Sequence, residues 1–438
     1  MEQTVTVERM AYSTDAVAHL SDGKTVFIPQ AAPGDTVSIE IVEDKGSFAR
    51  GRIVCVEEAS PERVAPASLP DQVSGAAPWQ HLSYACQLVS KRDNVVSQLV
   101  RAAHFEPACA EELVASCIPS RREWGYRNKL ELGAATDERG RIDLGFFREG
   151  THELVSVDST LLVHKIVQRI PKALRGAIRF AQGNQDFGIY RVGVRHSLAT
   201  GELEIALWTP PGPFPRALFA KTLGTTCKAT SIVRVMADPG KARKIKGVEI
   251  LAGRGYWREK LGDFTFSTQA PSFFQVNTAQ AQHLIEEVLN GLGDVSGAFV
   301  ADLYAGGGTF SIPLAAAGAD VIAIESAGSS VRDLRFNADF NGVEVEVVGG
   351  DAARELSELE GLDALVVDPP RAGLAESVPS DIAAAHPSRV AYVSCDPATW
   401  ARDVARFAQC GYELASVQPV DLFPQTYHVE CVSILIPR

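Results

Sequence analysis

The sequence has no cysteine pair in C-x-x-C spacing, and its eight cysteines, at 55, 86, 109, 117, 227, 395, 410 and 431, do not cluster with histidine. Neither a zinc site nor a disulfide framework is implied, and reduced thiols are expected. No apolar run approaches the ~18 residues of a membrane span. Glu2, Glu8 and Arg9 interrupt the start of the chain where a signal peptide would need an apolar stretch. The expectation is a cytoplasmic protein with no membrane association. Internal repeats and low-complexity segments are also missing. Positive charge is scarce late in the chain, where residues 263–438 hold 8 Lys and Arg against 24 Asp and Glu.

What is present is ordinary for a globular protein: 438 residues, 46% hydrophobic and 22% charged. At ~100–200 residues per domain this length implies two to four domains. The net charge of −12 hides an asymmetry, because residues 121–262 carry 25 basic against 14 acidic side chains while residues 1–120 carry 9 against 16. A basic middle between acidic ends suits a phosphate backbone, with a plain solvated surface as the alternative reading.

Short strand patterns crowd the first sixty residues (TVTVERM, KTVFIP, DTVSIEIVED, ARGRIVCVEE), with turns at Asp22-Gly23, Pro33-Gly34 and Lys45-Gly46. They predict a small OB-like barrel over 1–62. SPERVAPASLPDQVSGAAP reads as a linker or irregular loop, and YACQLVSKRDNVVSQLVRAA as a helix. Strand-like runs around one helical stretch, LLVHKIVQRIPKALRGAIRFA, predict an α+β domain over 63–262, with part of 88–118 packing on the C-terminal domain. From 263 to 438 short apolar strands alternate with helices, which predicts a mostly parallel, doubly wound Rossmann-like sheet.

In that last part, ADLYAGGGTF ends a strand and opens a helix, so Gly306 and Gly308 bare the backbone for a ligand. Glu325 and Asp351 end the next two strands, where a ribose and an adenine would be met. The absence of a Lys-Ser/Thr sequel disfavours a nucleoside triphosphate, and S-adenosylmethionine fits better. Asp302 is expected to orient the loop. DPPRAGL at 368–374 stands where an acceptor base would be held, but Arg371 replaces the aromatic expected of amino-methylating enzymes. Cys395, in YVSCDPATWARD, follows the fifth strand. A thiolate adding to C6 of uracil makes C5 nucleophilic, and a base must later remove the C5 proton. Glu430, in HVECVSILI, is the candidate base. Exposure and Arg371 are expected to help ionise the thiol.

With these motifs in hand, the chain resembles the RNA uracil-C5 methyltransferase family, most of all its TRAM-domain-containing 23S ribosomal RNA enzymes. PGDTVSIEIVEDK and SPERV are similar to its TRAM barrel. QHLSYACQL, YRNKLEL and GFFREGTHELV are similar to its central part, and FFQVN, DLYAGGGTFSIPLA, DPPRAGL, VSCDPATWARD and HVECVSIL to its methyltransferase domain. The resemblance implies an enzyme acting on ribosomal or transfer RNA, with an RNA-binding or assembly protein that has lost catalysis as the alternative, Cys395 as nucleophile, Glu430 as proton acceptor, and Gln275, Tyr304, Thr309, Glu325, Asp351 and Asp368 around cofactor and base; a monomer is expected. Phe273 and Phe274 become candidates to support or replace an extruded base, a core role being the alternative. Candidates for phosphate contact are Arg121, Arg122, Arg127, Lys129 and Arg148, then Lys241, Arg243, Lys244 and Lys246, with Arg371 nearer the base. One departure stands out. Where many relatives carry four cysteines for an iron-sulfur cluster, this chain has Ser68, Ser74, Ala77 and Thr160, so no cluster is expected.

Overall fold

The computed structural model describes residues 2–438 apart from 139, 149, 150, 152 and 241–243. Its first sheet takes Glu2–Thr6, Arg9–Met10, Asp15–His19, Thr25–Pro29, Thr36–Asp44 and Phe48–Glu58 in the spatial order first, fifth, sixth, fourth, third, second. The two outermost strands, the first and the second, are joined only through Val7 and Glu8, so the sheet bends back on itself around Val26, Ile28, Val37 and Ile39. Trp79 and Leu82 complete this core from outside the barrel. The strand Asp15–His19 escapes the sequence pattern because Ala16 and Ala18 lack the β-branched or aromatic bulk that marks a strand.

The stretch read as irregular contains a short helix, Leu69–Val73, capped by Ser68. Its buried Asp71 accepts from the Leu161 amide at 3.0 Å, and Gln80 makes two 2.8 Å bonds to the backbone of Ser68. The bond from the Leu161 amide to Asp71 therefore ties the segment of Ser68, Ser74 and Ala77 to the stretch that follows Thr160. Among the described residues no group of three or more His, Cys, Asp or Glu is placed to hold a metal, and no helix is long and apolar enough to cross a membrane.

The second sheet runs Gly247–Ala252, Ser231–Met236, Leu203–Thr209, Arg191–His196, Lys129–Thr136, Ile142–Phe147, Leu154–Ser156. Helices Ile170–Gln182 and Arg216–Cys227 cover it through Leu174, Ile178, Phe219 and Leu223. The first of these helices begins nine residues later than the helical pattern suggests. Pro171 is the reason, since a proline is tolerated in a first turn but not inside a helix. A hairpin, Trp257–Leu261 with Phe264–Thr268, spans position 262, and Trp257, Leu261 and Phe266 share a buried core with helix Thr278–Leu292.

The last sheet runs Glu346–Gly349, Asp320–Glu325, Phe299–Leu303, Ala364–Val367, Arg389–Ser394, Glu430–Pro437, Tyr412–Val420. Its first five strands are parallel, while Glu430–Pro437 is antiparallel to both of its neighbours. This is the doubly wound arrangement expected. Helix Tyr84–Ala102 packs on the sheet, with Val95, Val96 and Leu99 in one core with Leu365, Val367, Trp400 and Leu435.

That helix also buries a charge. Lys91 Nζ donates to Asp421 Oδ1 at 2.5 Å and to the Phe423 carbonyl at 3.0 Å, with neither charged side chain exposed. The Tyr84 hydroxyl meets Asp421 Oδ2 at 2.7 Å, and Gln87 bonds both the side chain and the amide of Gln425. Residues 421–425 are thus fixed by a helix more than 300 positions away. Lys91→Met, which leaves Asp421 buried and uncompensated, should lower the unfolding free energy by about 3–5 kcal/mol in urea titrations, and adding Asp421→Leu should recover part of the loss.

Candidate active site

The strand order reverses between Phe299–Leu303 and Ala364–Val367, leaving a crevice at the carboxyl edge where a ligand can enter. Along the antiparallel pair beside it, Ser394 lies opposite Cys431. Continued by one residue, that register sets Cys395 across from Glu430, roughly 5 Å apart at Cα with both side chains on one face. Two residues distant in sequence thereby become neighbours. Asp368 and Arg371, after Ala364–Val367, lie within electrostatic reach of both.

Cys395 is half-buried. Burial, then Glu430 and Asp368, push its thiol up to about 12 against the pull of Arg371. The expected partial ionisation does not hold in the free protein, because desolvation and three carboxyl groups, Glu430, Asp368 and Asp396, outweigh one exposed guanidinium. The following helix, Pro397–Gln409, gives no help: Asp396 caps it, accepting from Ala398 N and Thr399 N at 3.0 and 3.1 Å, so its first amides face a carboxylate. Glu430 is buried, and burial with Asp368 beside it holds its carboxyl well above the usual range. Burial raises Asp368 to about 7, helped by Asp302. Asp302 is raised to about 7 by burial although Ser311 Oγ donates to its Oδ2 at 2.5 Å, and its buried Oδ1 has no hydrogen-bond partner among the described residues. Such a cluster resists full ionisation on its own and favours the arrival of a cation.

Beside it the glycine loop turns through left-handed backbone. Tyr304, Gly306 and Gly308 have φ of 63°, 57° and 92°. A Cβ on Gly308 would lie 3.1 Å from Ile312 Cδ1 and 3.3 Å from Leu334 Cγ, whereas one on Gly306 would meet nothing within 4 Å. Glu325 closes the loop from the next strand, its Oε2 accepting from Gly306 N at 2.9 Å and its Oε1 from Ala327 N at 2.6 Å. Asp351 is exposed and caps helix Ala352–Leu356; it also helps, after burial, to raise the Tyr304 hydroxyl. Thr309 is half-buried within the turn, and the helix proper starts two residues later, as Ser311–Ala316. Gln275 is buried, its carbonyl accepting from Asn128 Nδ2 at 2.9 Å. The sequence reading missed Asn337, which donates to the Gly307 carbonyl at 3.0 Å and accepts from Ser267 N at 2.7 Å. A polar residue inside a helix carries no local signal of such a task.

The candidates for RNA contact divide. Arg127, Lys129, Arg371, Phe423, Tyr427 and His428 line a groove of ≈ 550 Å³. Arg127 also borders a second groove of ≈ 560 Å³ with Arg121, Arg122 and Lys260. Lys129, however, is paired with Glu131 at 2.7 Å, Arg148 with Glu153 at 2.7 Å and Lys246 with Asp238 at 2.8 Å. Lys244 is exposed, and Lys241 and Arg243 lie outside the described residues. Phe273 is 62% exposed. Phe274 requires correction as a base contact: it is 4% exposed and packs on Trp257 and Phe266 with ring centroids 5.7 and 5.6 Å away, so it belongs to the core.

Gly308→Ala should weaken binding of S-adenosylhomocysteine, followed by calorimetry, about tenfold, since a left-handed residue with a Cβ costs roughly 1–2 kcal/mol before the contact with Ile312 is counted. Gly306→Ala should cost less.

Residues 244–438 match the family described as tRNA (Uracil-5-)-methyltransferase, and residues 1–54 match the TRAM domain. A protein of Gloeobacter violaceus named an uncharacterized RNA methyltransferase is 35% identical, the match covering 99% of this chain and 96% of that one. Another so named, from Thermosynechococcus vestitus, is 32% identical over 96% of each chain. The crystal structure of Pyrococcus abyssi tRNA (uracil-54, C5)-methyltransferase in complex with S-adenosyl-L-homocysteine superposes with a TM-score of 0.76 at 27% identity, covering 99% of both chains. The chain belongs to the RNA uracil-C5 methyltransferase family and carries a TRAM domain at its N-terminal end.

Proposed function

We propose that this protein is a monomeric cytoplasmic enzyme that transfers a methyl group from S-adenosylmethionine to C5 of one uridine in RNA, with 23S ribosomal RNA as the expected target. Cys395 adds covalently to C6 and Glu430 accepts the C5 proton. The observation that carries this reading is the antiparallel pairing of Ser394 with Cys431, which brings their neighbours Cys395 and Glu430 within electrostatic reach of each other at the sheet's carboxyl edge.

The residues present fit S-adenosylmethionine. The open space beside Gly306 makes room for it while Gly308 lets the turn pack on Ile312 and Leu334, Glu325 and Asp351 offer carboxylates to the ribose and adenine, and Oδ1 of Asp302, with no partner among the described residues, sits in an acidic crevice suited to a cation. Bound there, it supplies an electrophilic methyl group and one positive charge. Everything else falls to the chain. Extruding the uridine from its stack opens C6 to approach from above the ring, with exposed Phe273 available to support the displaced base. The Cys395 thiol must lose its proton before sulfur bonds to C6, and Arg371 is the cation that favours the thiolate. Addition leaves an enolate whose C5 is nucleophilic. Once C5 carries the methyl group, its proton passes to the Glu430 carboxylate, the C5–C6 double bond re-forms and Cys395 leaves as thiolate. The turnover releases one proton. Its raised pKa makes ionised Glu430 a stronger base than an ordinary carboxylate.

A second target class has specific support. The Pyrococcus abyssi match covers 99% of both chains, so a tRNA enzyme matches this chain through its barrel region as well, and the barrel does not by itself mark a ribosomal target. Methylation of unmodified 23S and transfer RNA transcripts, read by mapping 5-methyluridine, decides between them.

With labelled S-adenosylmethionine, Cys395→Ala should transfer no label, and transfer at the wild-type rate would rule out covalent catalysis. Glu430→Gln should accumulate protein-linked RNA on a denaturing gel, because the adduct forms but cannot eliminate. Because the thiol is held above its ordinary value, kcat/KM should climb through neutral to alkaline pH, by up to about tenfold per unit. In Arg371→Met the climb should move to higher pH, since a charge that lowers the thiol pKa is gone.

A further inference from the structure

Tyr12 belongs to the barrel, in the turn between Arg9–Met10 and Asp15–His19. Its hydroxyl nevertheless donates to the carbonyl of Cys395, 383 residues away in sequence, at 3.3 Å. The ring meets Tyr427 edge-on with centroids 5.6 Å apart, and Tyr427 lies 4.2 Å from His428, two residues before Glu430. Asp396, Cys395, Cys431 and Arg371 all act electrostatically on the Tyr12 hydroxyl, which places it among the reacting groups. The turn that carries Tyr12 is itself held: Trp79 Nε1 donates to the Ser13 carbonyl at 3.0 Å, and Asp15 N donates to Ser13 Oγ at 3.1 Å.

We propose that Tyr12 is a positioning residue for methyl transfer, through which the barrel sets the backbone of Cys395 against the segment that carries Glu430. The inference rests on the roles given to Cys395 and Glu430 under the proposed function. The physical need for it lies at the end of the strand ladder. Ser394 and Cys431 form the last pair, so Cys395 stands one residue past the hydrogen bonds that fix the strand. A modest peptide rotation there would turn the sulfur away from the crevice. The Tyr12 hydroxyl takes hold of the Cys395 carbonyl at that point. Its ring, through Tyr427 and His428, braces the opposite strand just before Glu430. One side chain therefore spans nucleophile and proton acceptor, and the barrel has a part in the chemistry beyond holding RNA.

Tyr12→Phe keeps the ring and removes the donor. With RNA and S-adenosylmethionine saturating, its single-turnover methylation rate should fall about 3–10-fold, the worth of one hydrogen bond, with KM for RNA and the thermal midpoint little changed. Covalent linkage to RNA containing 5-fluorouridine, which traps the adduct because fluorine cannot leave C5 as a proton does, should slow by the same factor. Tyr12→Ala should fall further, by roughly 30–100-fold, as ring packing is lost as well. Arg52→Ala, on the exposed face of the barrel, serves as the control and should leave the single-turnover rate at the wild-type value. A Tyr12→Phe protein that matches wild type in single-turnover rate and trapping, with only KM or stability altered, would show that Tyr12 merely braces the barrel and overturn the proposal. Wild type that methylates no RNA would instead overturn the functional reading, and this inference with it.

Discussion

A lysine with no exposure to water underlies the site. Lys91 is held between the Asp421 carboxylate and the Phe423 carbonyl, and the same helix reaches Asp421 again through Tyr84 and Gln425 through Gln87. A buried pair of this kind adds little net stability against a hydrophobic substitute, but it tolerates few alternative arrangements. The loop it fixes leads directly to His428 and Glu430. The other wall of the same loop is built by the central part of the chain, where the Tyr126 hydroxyl bonds the Pro424 carbonyl at 3.1 Å. The barrel adds the contact of Tyr12 with Tyr427. Three regions of the chain therefore converge on the short loop that leads into Glu430.

The electrostatics of the crevice follow from its burial. Cys395, Glu430, Asp368 and Asp302 are all held toward their protonated forms. At rest the site keeps a neutral thiol, which guards it against indiscriminate oxidation or alkylation. Its reactivity depends on what enters, because a positive charge placed among these groups shifts every one of them toward ionisation. The acidity of residues 263–438 is in part this local arrangement. Beyond Arg371, the cations Arg121, Arg122 and Arg127 line the neighbouring grooves.

Much of this was legible in the order of residues. The βα alternation after 262 predicted the sheet because short apolar strands and capped helices are locally encoded, and the glycine triplet predicted its turn because φ values of 57° and 92° suit only glycine comfortably. Other features were not legible. Helix Arg216–Cys227 has only a weakly one-sided pattern, and the strand Asp15–His19 is rich in alanine, so both owe their form to what they pack against. Phe273 and Phe274 are identical in kind and adjacent, yet one is exposed and the other buried, a choice made by Trp257 and Phe266. The charge state of the thiol was misjudged for a related reason. Arg371 is close to Cys395 in any reading of the motifs, but desolvation depends on everything that surrounds it.

By itself the sequence determined which chemistry is available: a thiol after one strand, a carboxylate in another, a bare glycine turn and acids at successive strand ends, since each is a matter of residue type within a local element. Only the tertiary structure decided that the strands before Cys395 and after Glu430 pair and bring thiol and carboxyl to one edge, that a lysine from a helix near position 91 orders the loop before Glu430, and that a barrel tyrosine bonds the Cys395 carbonyl. These depend on antiparallel register and on contacts between residues more than 300 positions apart, and no local pattern encodes either.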